Sequence, residues 1–254
     1  MFRRLALSAI VCTLLLATGS PLFALRTDGL TVVIPTIARV PGLLSTQWQT
    51  DVFIGNRFSV PKTITLTFHV AGGAPRVETI EVAAFSVVTL RDVVLATFGL
   101  ENASGQLLLT TTTESVFEAR ARIYNVGNPA GEFGQAVPGI GLGELRRQGY
   151  LYGLSGIAGN RLNTGVANPH DRSIEVSLSV FDSANTLLSQ RTIPLAPHQT
   201  VQVELFSFAG IAPREGIQIV YATDANENAF YAYASEVRND TGDAVFVFGT
   251  SPNV

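Results

Sequence analysis

The sequence has few charged residues and no excess of positive charge. Of its 254 residues 15% are charged, and 17 basic residues stand against 20 acidic ones, which gives a net charge of −3. A protein that binds a phosphate backbone needs a clustered cationic surface, which scattered arginines do not provide. With 46% hydrophobic residues the chain is too apolar to be disordered. The composition therefore predicts a folded protein and excludes nucleic acid as its partner.

Cysteine is nearly absent. Cys12 is the one cysteine, and it lies inside an apolar N-terminal stretch. The remainder of the chain can form neither disulfides nor zinc–thiolate sites. We therefore expect stability to come from core size, which about 230 residues can supply.

Long apolar runs are absent too. The stretch Leu5–Ala17 is shorter than the roughly 20 residues that a permanent membrane span requires. It follows Arg3 and Arg4 and precedes small residues, which is typical of a secretory signal. We expect residues 1–24 to be a cleavable signal peptide, and loss of the two arginines changes the net charge to −5. The mature protein is then secreted, to the periplasm or to the extracellular space and cell surface, without a stable membrane span.

Catalytic signatures are missing. The sequence contains neither a His-Glu-x-x-His pair nor a Gly-x-Ser-x-Gly turn. His69 falls on the polar face of a predicted strand and His170 and His198 fall in loops, so we expect them to lie apart at the surface or in turns. The sequence predicts no catalytic residues, and hence a protein that is not an enzyme.

The chain does contain a strand pattern that occurs twice. The stretch Trp48–Asn56 aligns with Asn160–Asn168, at an offset of about 110 residues that persists along the chain. A polar break and four alternating apolar residues follow in each copy: Ile64, Leu66, Phe68 and Val70, then Ile174, Val176, Leu178 and Val180. A period of two predicts half-buried strands.

About eight short strands per copy predict an all-β fold of two tandem β-sandwich domains. Their boundaries follow from a Gly-rich stretch and the polar run behind it: domain 1 at 25–139, a linker at 140–148 and domain 2 at 149–254. One short helix is expected, at Val93–Thr97, with Asp92 as its N-cap.

Several of these residues carry a resemblance. They are Ile34-Pro35 through Ala38-Arg39, Trp48-x-Thr50-Asp51, Asn56, Leu90-x-Asp92-Val93-Val94, Phe98-Gly99 and Gly131-x-Phe133-Gly134-Gln135. The set resembles a group of exported bacterial proteins built from tandem immunoglobulin-like sandwiches, over essentially the whole mature chain. The resemblance implies an immunoglobulin-like fold for both domains and an exported location. It implies no catalytic residue, because the group has no assigned activity.

Four residues are candidates for ligand binding: Trp48 with Asp51, and Tyr150 with Tyr152. Trp and Tyr on a sheet face suit stacking against sugars or contact with a protein. The alternative is packing, since a Trp at the start of an early strand commonly fills a sandwich core. Tyr231 and Tyr233 alternate with alanines, which favours packing in a core or between domains.

One loop offers oxygen ligands for a metal. Asp224, Asn226 and Asn228 occupy alternate positions, as at the start of a calcium loop. The Gly and Glu that a full loop needs are replaced by Ala229 and Ser235. A polar hairpin connection is the alternative interpretation, because Asp and Asn favour turns by themselves.

The favoured hypothesis is a non-catalytic structural or interaction protein of the cell envelope or extracellular space, which presents loops and edge strands to a protein partner or to a second copy. The last strand, Ala244–Gly249, is apolar on both faces and suits either the core or association. The alternative is a carbohydrate-binding module that uses exposed aromatic residues, assisted by calcium or without a cofactor.

Overall fold

The computed structural model describes residues 27–157, 159–224 and 228–250. The predicted signal peptide at 1–24 and Cys12 lie outside these residues. The described part consists mainly of strands, so the all-β prediction is confirmed. In chain order its elements are β1 (Asp28–Gly29), β2 (Thr31–Pro41), β3 (Gln47–Asn56), β4 (Lys62–Val70), β5 (Arg76–Val82), β6 (Ser86–Leu90), α1 (Val93–Ala96), β7 (Ala103–Thr111), β8 (Phe117–Asn125), β9 (Phe133–Pro138), β10 (Ile140–Gly141), β11 (Gln148–Leu154), β12 (Asn160–Ala167), β13 (Ile174–Phe181), β14 (Leu187–Leu195), β15 (Thr200–Glu204), α2 (Leu205–Ala209), β16 (Ile217–Ala222), β17 (Tyr231–Arg238) and β18 (Ala244–Phe248).

Helices contribute little to this part of the chain. The helix predicted after Leu90 exists as α1 with Asp92 at its N-cap position, but the side-chain bond expected of that cap is not formed. The carboxylate of Asp92 pairs with Arg39 and caps no backbone N–H of the helix. In α2, by contrast, the Glu204 carboxylate accepts hydrogen bonds from the first turn. No helix among the described residues has the length and apolar character to cross a membrane.

Both halves of the chain pair their strands in the same order. In the N-terminal half (β1–β9) one sheet runs β2-β7-β4-β5 and the other runs β6-β3-β8-β9. In the C-terminal half (β11–β18) the sheets run β11-β16-β13-β14 and β15-β12-β17-β18. All these pairs are antiparallel. In the N-terminal half, Val40 and Pro41 at the end of β2 also pair with β3 and thereby join the two sheets.

The strand order differs from that of an immunoglobulin sandwich. There the first strand lies in the sheet of the second strand, and the seventh lies in the sheet of the third and sixth. Here the first strand of each half, β2 or β11, pairs with the sixth, and the seventh, β8 or β17, pairs with the second. The pairings of second with fifth and third with sixth strands are kept. The first and seventh strands have therefore exchanged sheets, and the fourth, β5 or β14, pairs with the third instead of lying beside the fifth.

Each half buries the inner faces of its sheets against each other. On β4, Ile64, Leu66 and Phe68 are fully buried, as their alternation predicts. Val52 and Ile54 of β3, in the facing sheet, belong to the same apolar cluster. The C-terminal half has an equivalent core between β13 on one side and β12 and β17 on the other. Two sheets around one core are a β-sandwich.

A third apolar cluster joins the two halves. Val33, Ile140 and Leu145 pack there with Tyr231 and Tyr233, and both tyrosines are fully buried. The packing interpretation of these tyrosines is therefore confirmed. Ile140 and Leu145 belong to the segment predicted as a linker, and Ile140 lies in β10, which pairs with β2.

Hydrogen bonds accompany this contact. The Tyr231 hydroxyl donates to the carbonyl of Pro138 at 2.8 Å, and Gln106 Nε2 donates to the carbonyl of Asn168 at 2.8 Å. The Thr200 hydroxyl donates to the carbonyl of Pro35 at 2.6 Å. Proline has no N–H, and the pairing of β2 with β7 shifts register around Pro35. The halves are thus joined by polar bonds as well as by apolar packing.

Replacing Tyr231 by Phe removes the hydroxyl and leaves the buried ring in place. We expect the free energy of unfolding to fall by about 1 to 2 kcal/mol, because the Pro138 carbonyl loses its partner between the halves. Urea denaturation measures the change. The matched control is Tyr152→Phe, since Tyr152 is 62% exposed, and it leaves the stability unchanged. Equal stabilities for the two variants would contradict the role given to this bond.

Candidate functional site

A cleft opens where the two halves meet. Its volume is about 420 Å³, within the range of small-molecule sites, which often lie between domains. We call it the Trp48 cleft. The N-terminal half lines it with residues of β2, of β3 and of the loop between them, and the C-terminal half with residues of β12, β15 and β17. The side chains that matter for its chemistry are Trp48, Gln135, Arg161, Asn163, Gln202 and Ser235.

Trp48 forms part of the cleft wall. It lies on β3 opposite Asn125 and packs its half-buried indole against the N-terminal core. Among the described residues, the indole N–H has no hydrogen-bond acceptor. A second polar groove of about 220 Å³ lies along Trp48, between Arg39 and Gln47 on one side and Asn102 on the other. The indole therefore packs against the core, as the packing interpretation predicts, and also borders two cavities; ligand binding by Trp48 stays a prediction.

The loop beside Trp48 is strained. Leu44 and Ser45 have φ angles of 56° and 63°, in the left-handed region that non-glycine residues rarely adopt. Gly42 is required, because a Cβ there would lie 2.4 Å from the indole nitrogen. Leu43 and Leu44 expose their side chains to solvent. Strain of this kind concentrates at ligand sites, where the surrounding structure maintains it.

The far wall of the cleft carries amide groups. Gln202 Oε1 accepts a hydrogen bond from the Tyr233 hydroxyl at 3.0 Å, and Gln135 Oε1 accepts one from Ser235 at 2.8 Å. Each bond orients its amide, and the NH₂ group of each has no partner in the described part of the chain. The Asn163 side chain, half-buried on β12, is free in the same sense. These amides can donate to a ligand without breaking an existing bond.

Arg161 brings a positive charge to the cleft. Its Nη1 donates to Asn239 Oδ1 at 2.9 Å. Burial lowers the pKa of Arg161, and no charged group of the described residues offsets that effect. The lining residues that the structure describes include no Asp or Glu. The cleft is therefore polar, rich in donors and positively charged at one point.

Asp51 does not share a site with Trp48. Residues three apart on a strand point to opposite faces, and Asp51 is buried on the outer face of its sheet. It accepts hydrogen bonds from Arg91 Nη1 at 3.0 Å, from the Asp92 backbone N–H at 2.9 Å and from the Tyr124 hydroxyl at 3.1 Å. Burial and then the Asp51 charge raise the pKa of Tyr124 to about 12. Asp51 thus holds the segment before α1 on the sheet, and its oxygens face protein groups.

Tyr150 and Tyr152 lie together on β11. Their ring centroids are 5.7 Å apart, and the Tyr150 hydroxyl donates to Gln218. They border an open depression of about 450 Å³ that also touches Ser183. The predicted aromatic pair exists, and it lies on a different surface from the Trp48 cleft.

The predicted calcium loop connects β16 and β17. These strands belong to different sheets, so the connection crosses the sandwich and the hairpin interpretation is wrong. Asn226 lies outside the described residues. Asn228 Oδ1 accepts a hydrogen bond from the guanidinium of Arg172 at 2.6 Å, and Asp224 is exposed. Within the described ranges, no group of three or more His, Cys, Asp or Glu residues could hold a metal.

The three histidines converge, contrary to the sequence-based expectation. The rings of His69 and His198 stack across the two halves, with centroids 3.9 Å apart. The His198 backbone N–H donates to the carbonyl of His170 at 3.0 Å. His198 Nδ1 is buried without a partner in the described residues. The contact unites a strand of one half with two loops of the other, so sequence separation concealed it.

Sequence reasoning missed Arg161 and Gln202. An arginine near the start of a strand is common in sequences and does not indicate a site. Arg161 becomes part of a cleft only because the other half of the chain packs beside it. One signal was present: the alignment of the two copies placed Arg161 and Asn163 on the strand equivalent to the one that carries Trp48. The two aligned strands, β3 and β12, both line the cleft.

Replacing Asp51 by Ala removes the acceptor of three hydrogen bonds. We expect a loss of about 2 to 4 kcal/mol in the free energy of unfolding, because the buried Tyr124 hydroxyl and the Asp92 backbone N–H lose their acceptor. The control is Glu132→Ala, which removes the acid of the exposed Arg122 pair and costs less than about 1 kcal/mol. Urea denaturation compares the two. A loss for Asp51→Ala no larger than the control would show that its network is dispensable.

Acid weakens the fold through His69. Burial and then His198 lower the pKa of His69 from 6.5 to about 4, so between these values the unfolded chain binds a proton that the folded chain does not. Stability is complete above pH 6.5 and falls as the pH decreases, by about 1 to 2 kcal/mol between pH 7 and pH 5. Denaturation curves across this range measure the slope.

The control for this slope is His69→Phe, which keeps a ring against His198 and cannot titrate. Burial also lowers the pKa of His170, which lies near Asp171 and Arg172, so a smaller slope remains in the variant. An unchanged slope would assign the pH dependence to other groups.

No family model matches this chain, and no curated protein matches it. Among solved structures, a calcium-binding mutant of Bacteroides uniformis β-glucuronidase 2 is similar over 85% of this chain and 28% of its own, with 10% identity and a TM-score of 0.19. A lectin from Pleurotus ostreatus in complex with GalNAc shows 10% identity over 89% of this chain and 83% of its own, with a TM-score of 0.17. A β-glucuronidase of glycoside hydrolase family 2 shows 9% identity over 87% of this chain and 25% of its own, with a TM-score of 0.16. This chain spans about a quarter of the length of each glucuronidase, and likenesses this low carry no argument about fold or function.

Proposed function

We propose that this chain is a non-catalytic binding protein that holds its ligand in the Trp48 cleft. The observation that carries the proposal is a set of donors there that have no acceptor among the described residues: the indole N–H of Trp48, the NH₂ groups of Gln135 and Gln202, and the Nε and Nη2 groups of Arg161. Water reaches these groups in the open cleft, and a ligand that supplies acceptors in the same geometry can displace it. Donors that converge on one cleft without acceptors suit a ligand that supplies the acceptors.

The lining favours binding over catalysis. General acid–base chemistry needs a titratable group within reach of the ligand, and the described residues that line the cleft include no Asp, Glu or His. The histidine cluster and the Asp51 network both serve contacts within the protein. The proposal therefore assigns no catalytic residue.

The proposal includes export of a two-domain scaffold. Residues 1–24 direct the chain out of the cytoplasm, and the mature protein works in the periplasm or outside the cell as two sandwich domains. The absence of cysteine after Cys12 leaves the packing between the halves to hold the cleft in shape. The contacts of Tyr231 and Tyr233 supply that rigidity.

A protein partner is the second candidate. The strand β6 pairs with β3 alone, and Val87 on it is 66% exposed. Phe85, just before β6, is exposed as well. A free strand edge with apolar side chains suits strand addition by another chain or by a second copy. This surface is separate from the Trp48 cleft.

Fluorescence of the mature protein tests the proposal directly, because Trp48 is the only tryptophan. Titration with a panel of neutral and acidic oligosaccharides and short peptides changes the emission of Trp48 for the ligand that binds. The double variant Asn163→Ala, Gln202→Ala weakens that binding tenfold or more, since it removes two amide donors. The matched control Tyr152→Ala, on the other surface, binds as the unchanged protein does.

Each other outcome counts against the proposal. A panel without any emission change would overturn it. Binding that Tyr152→Ala abolishes would place the site at the tyrosine pair. Self-association in analytical ultracentrifugation that Val87→Asp removes, with a silent panel, would favour the second candidate.

A further inference from the structure

Arg161 differs from every other arginine of the described residues. Those arginines either pair with a carboxylate or lie exposed to solvent, and Arg161 alone is partly buried without an acidic partner. Desolvation of an uncompensated charge is unfavourable. An anionic group of a ligand would offset this partial desolvation.

Lys62 is a buried cation of the same fold whose hydrogen bonds are all made within the protein, and it can be compared with Arg161. It is almost fully buried, and its Nζ donates to the Ser115 carbonyl at 2.7 Å and to the hydroxyls of Ser115 and Thr113. These bonds use the three donors of an ammonium group. Arg161 has five N–H donors, and Asn239 accepts from Nη1 alone. Its Nη2 and Nε donors have no acceptor in the described residues.

The free edge of a guanidinium matches one kind of ligand group. Its paired N–H donors fit the two oxygens of a carboxylate in a bidentate contact. The amides of Asn163 and Gln202 lie in the same cleft. Since an amide both donates and accepts, it can bind a hydroxyl in either sense. The cleft thus offers one site for a carboxylate and several for hydroxyls.

The walls of the cleft favour a sugar over a peptide strand. Trp48 supplies a flat apolar surface with a polar N–H at its edge, which suits the C–H face and the hydroxyl rim of a sugar ring. A peptide that adds to a sheet needs a free strand edge. The strands that carry Trp48 and Arg161, β3 and β12, are each paired on both sides, so neither can accept a peptide strand beside these two side chains. The edge strand β15 also lines the cleft, and a peptide would have to add there.

We propose that the Trp48 cleft binds an acidic saccharide, with its carboxylate on Arg161 and its ring against Trp48. This inference rests on the proposed function and adds the chemical class of the ligand. The sugar carboxylate balances the desolvated charge of Arg161. A uronic acid and a sialic acid both supply this group.

The experiment compares ligands that differ in the carboxylate alone. Trigalacturonate, an alginate trisaccharide and sialyllactose are each titrated into the mature protein beside their methyl esters, with Trp48 emission and calorimetry as readouts. We expect at least one acid to bind tenfold or more tighter than its ester, because a charge-assisted pair is lost. Arg161→Gln weakens the acid tenfold or more and leaves the ester unchanged. Arg161→Lys restores part of the affinity, since it keeps the charge without the fork.

Two controls separate binding from folding. Arg76→Gln removes an exposed arginine of β5 and leaves binding unchanged. The melting temperature of Arg161→Gln equals or exceeds that of the unchanged protein, because an uncompensated charge is gone. A large drop in its melting temperature would show that Arg161 serves the fold, and would overturn the inference.

The remaining outcomes distinguish the two proposals. Equal binding of acid and ester, or an Arg161→Gln variant that binds the acid normally, overturns the acidic ligand and leaves the binding function intact. Binding of triglutamate without any saccharide assigns the cleft to acidic peptides and also overturns the inference. Silence of Trp48 toward all sugars and peptides overturns both proposals.

Discussion

The arrangement of the two halves depends on one close contact, in which Tyr233 lies over Gly165. The two residues are opposite each other on β17 and β12, and a Cβ on Gly165 would lie 2.3 Å from the tyrosine ring. The bare glycine allows the ring to lie flat, stacked on Phe246 at 5.1 Å. From this position the Tyr233 hydroxyl orients Gln202. Core packing between the halves and polar chemistry in the cleft therefore originate from the same side chain.

Local pattern predicted the strands well and their partners poorly. The alternation of apolar and polar residues on β4 and β13 correctly predicted that one face of each strand is buried. Each strand carries this pattern in its own sequence. The alanines that alternate with Tyr231 and Tyr233 likewise predicted that the two tyrosines pack in a buried contact. Strand order depends on contacts between segments that are far apart in the sequence. Alternation within one strand does not indicate its neighbours, so the exchange of the first and seventh strands could not be predicted from it. The resemblance to exported tandem sandwich proteins stays a prediction.

The site was predictable in part. Trp48 stood out as the lone tryptophan, but its partners come from the other half of the chain. Arg161 and the three histidines are distinguished by their burial and by their contacts. Both arise only when the two halves pack together. Asp51 was selected for its place beside Trp48, and strand geometry sends the two side chains to opposite faces. Groups defined by long-range packing are those that sequence reasoning misses.

The course of β2 has a mechanical consequence. Near its start, Val33 is buried in the contact between the halves, and at its end Pro41 pairs with Gln47 beside Trp48. One continuous strand thus spans both sheets of its sandwich and acts as a strut between the contact and the cleft wall. Because β2 holds this wall at both ends, the wall would lose little conformational entropy on ligand binding. A ligand bound as we propose would therefore meet a preformed wall, closer to lock-and-key than to induced fit, and its shape and charge would set the selectivity.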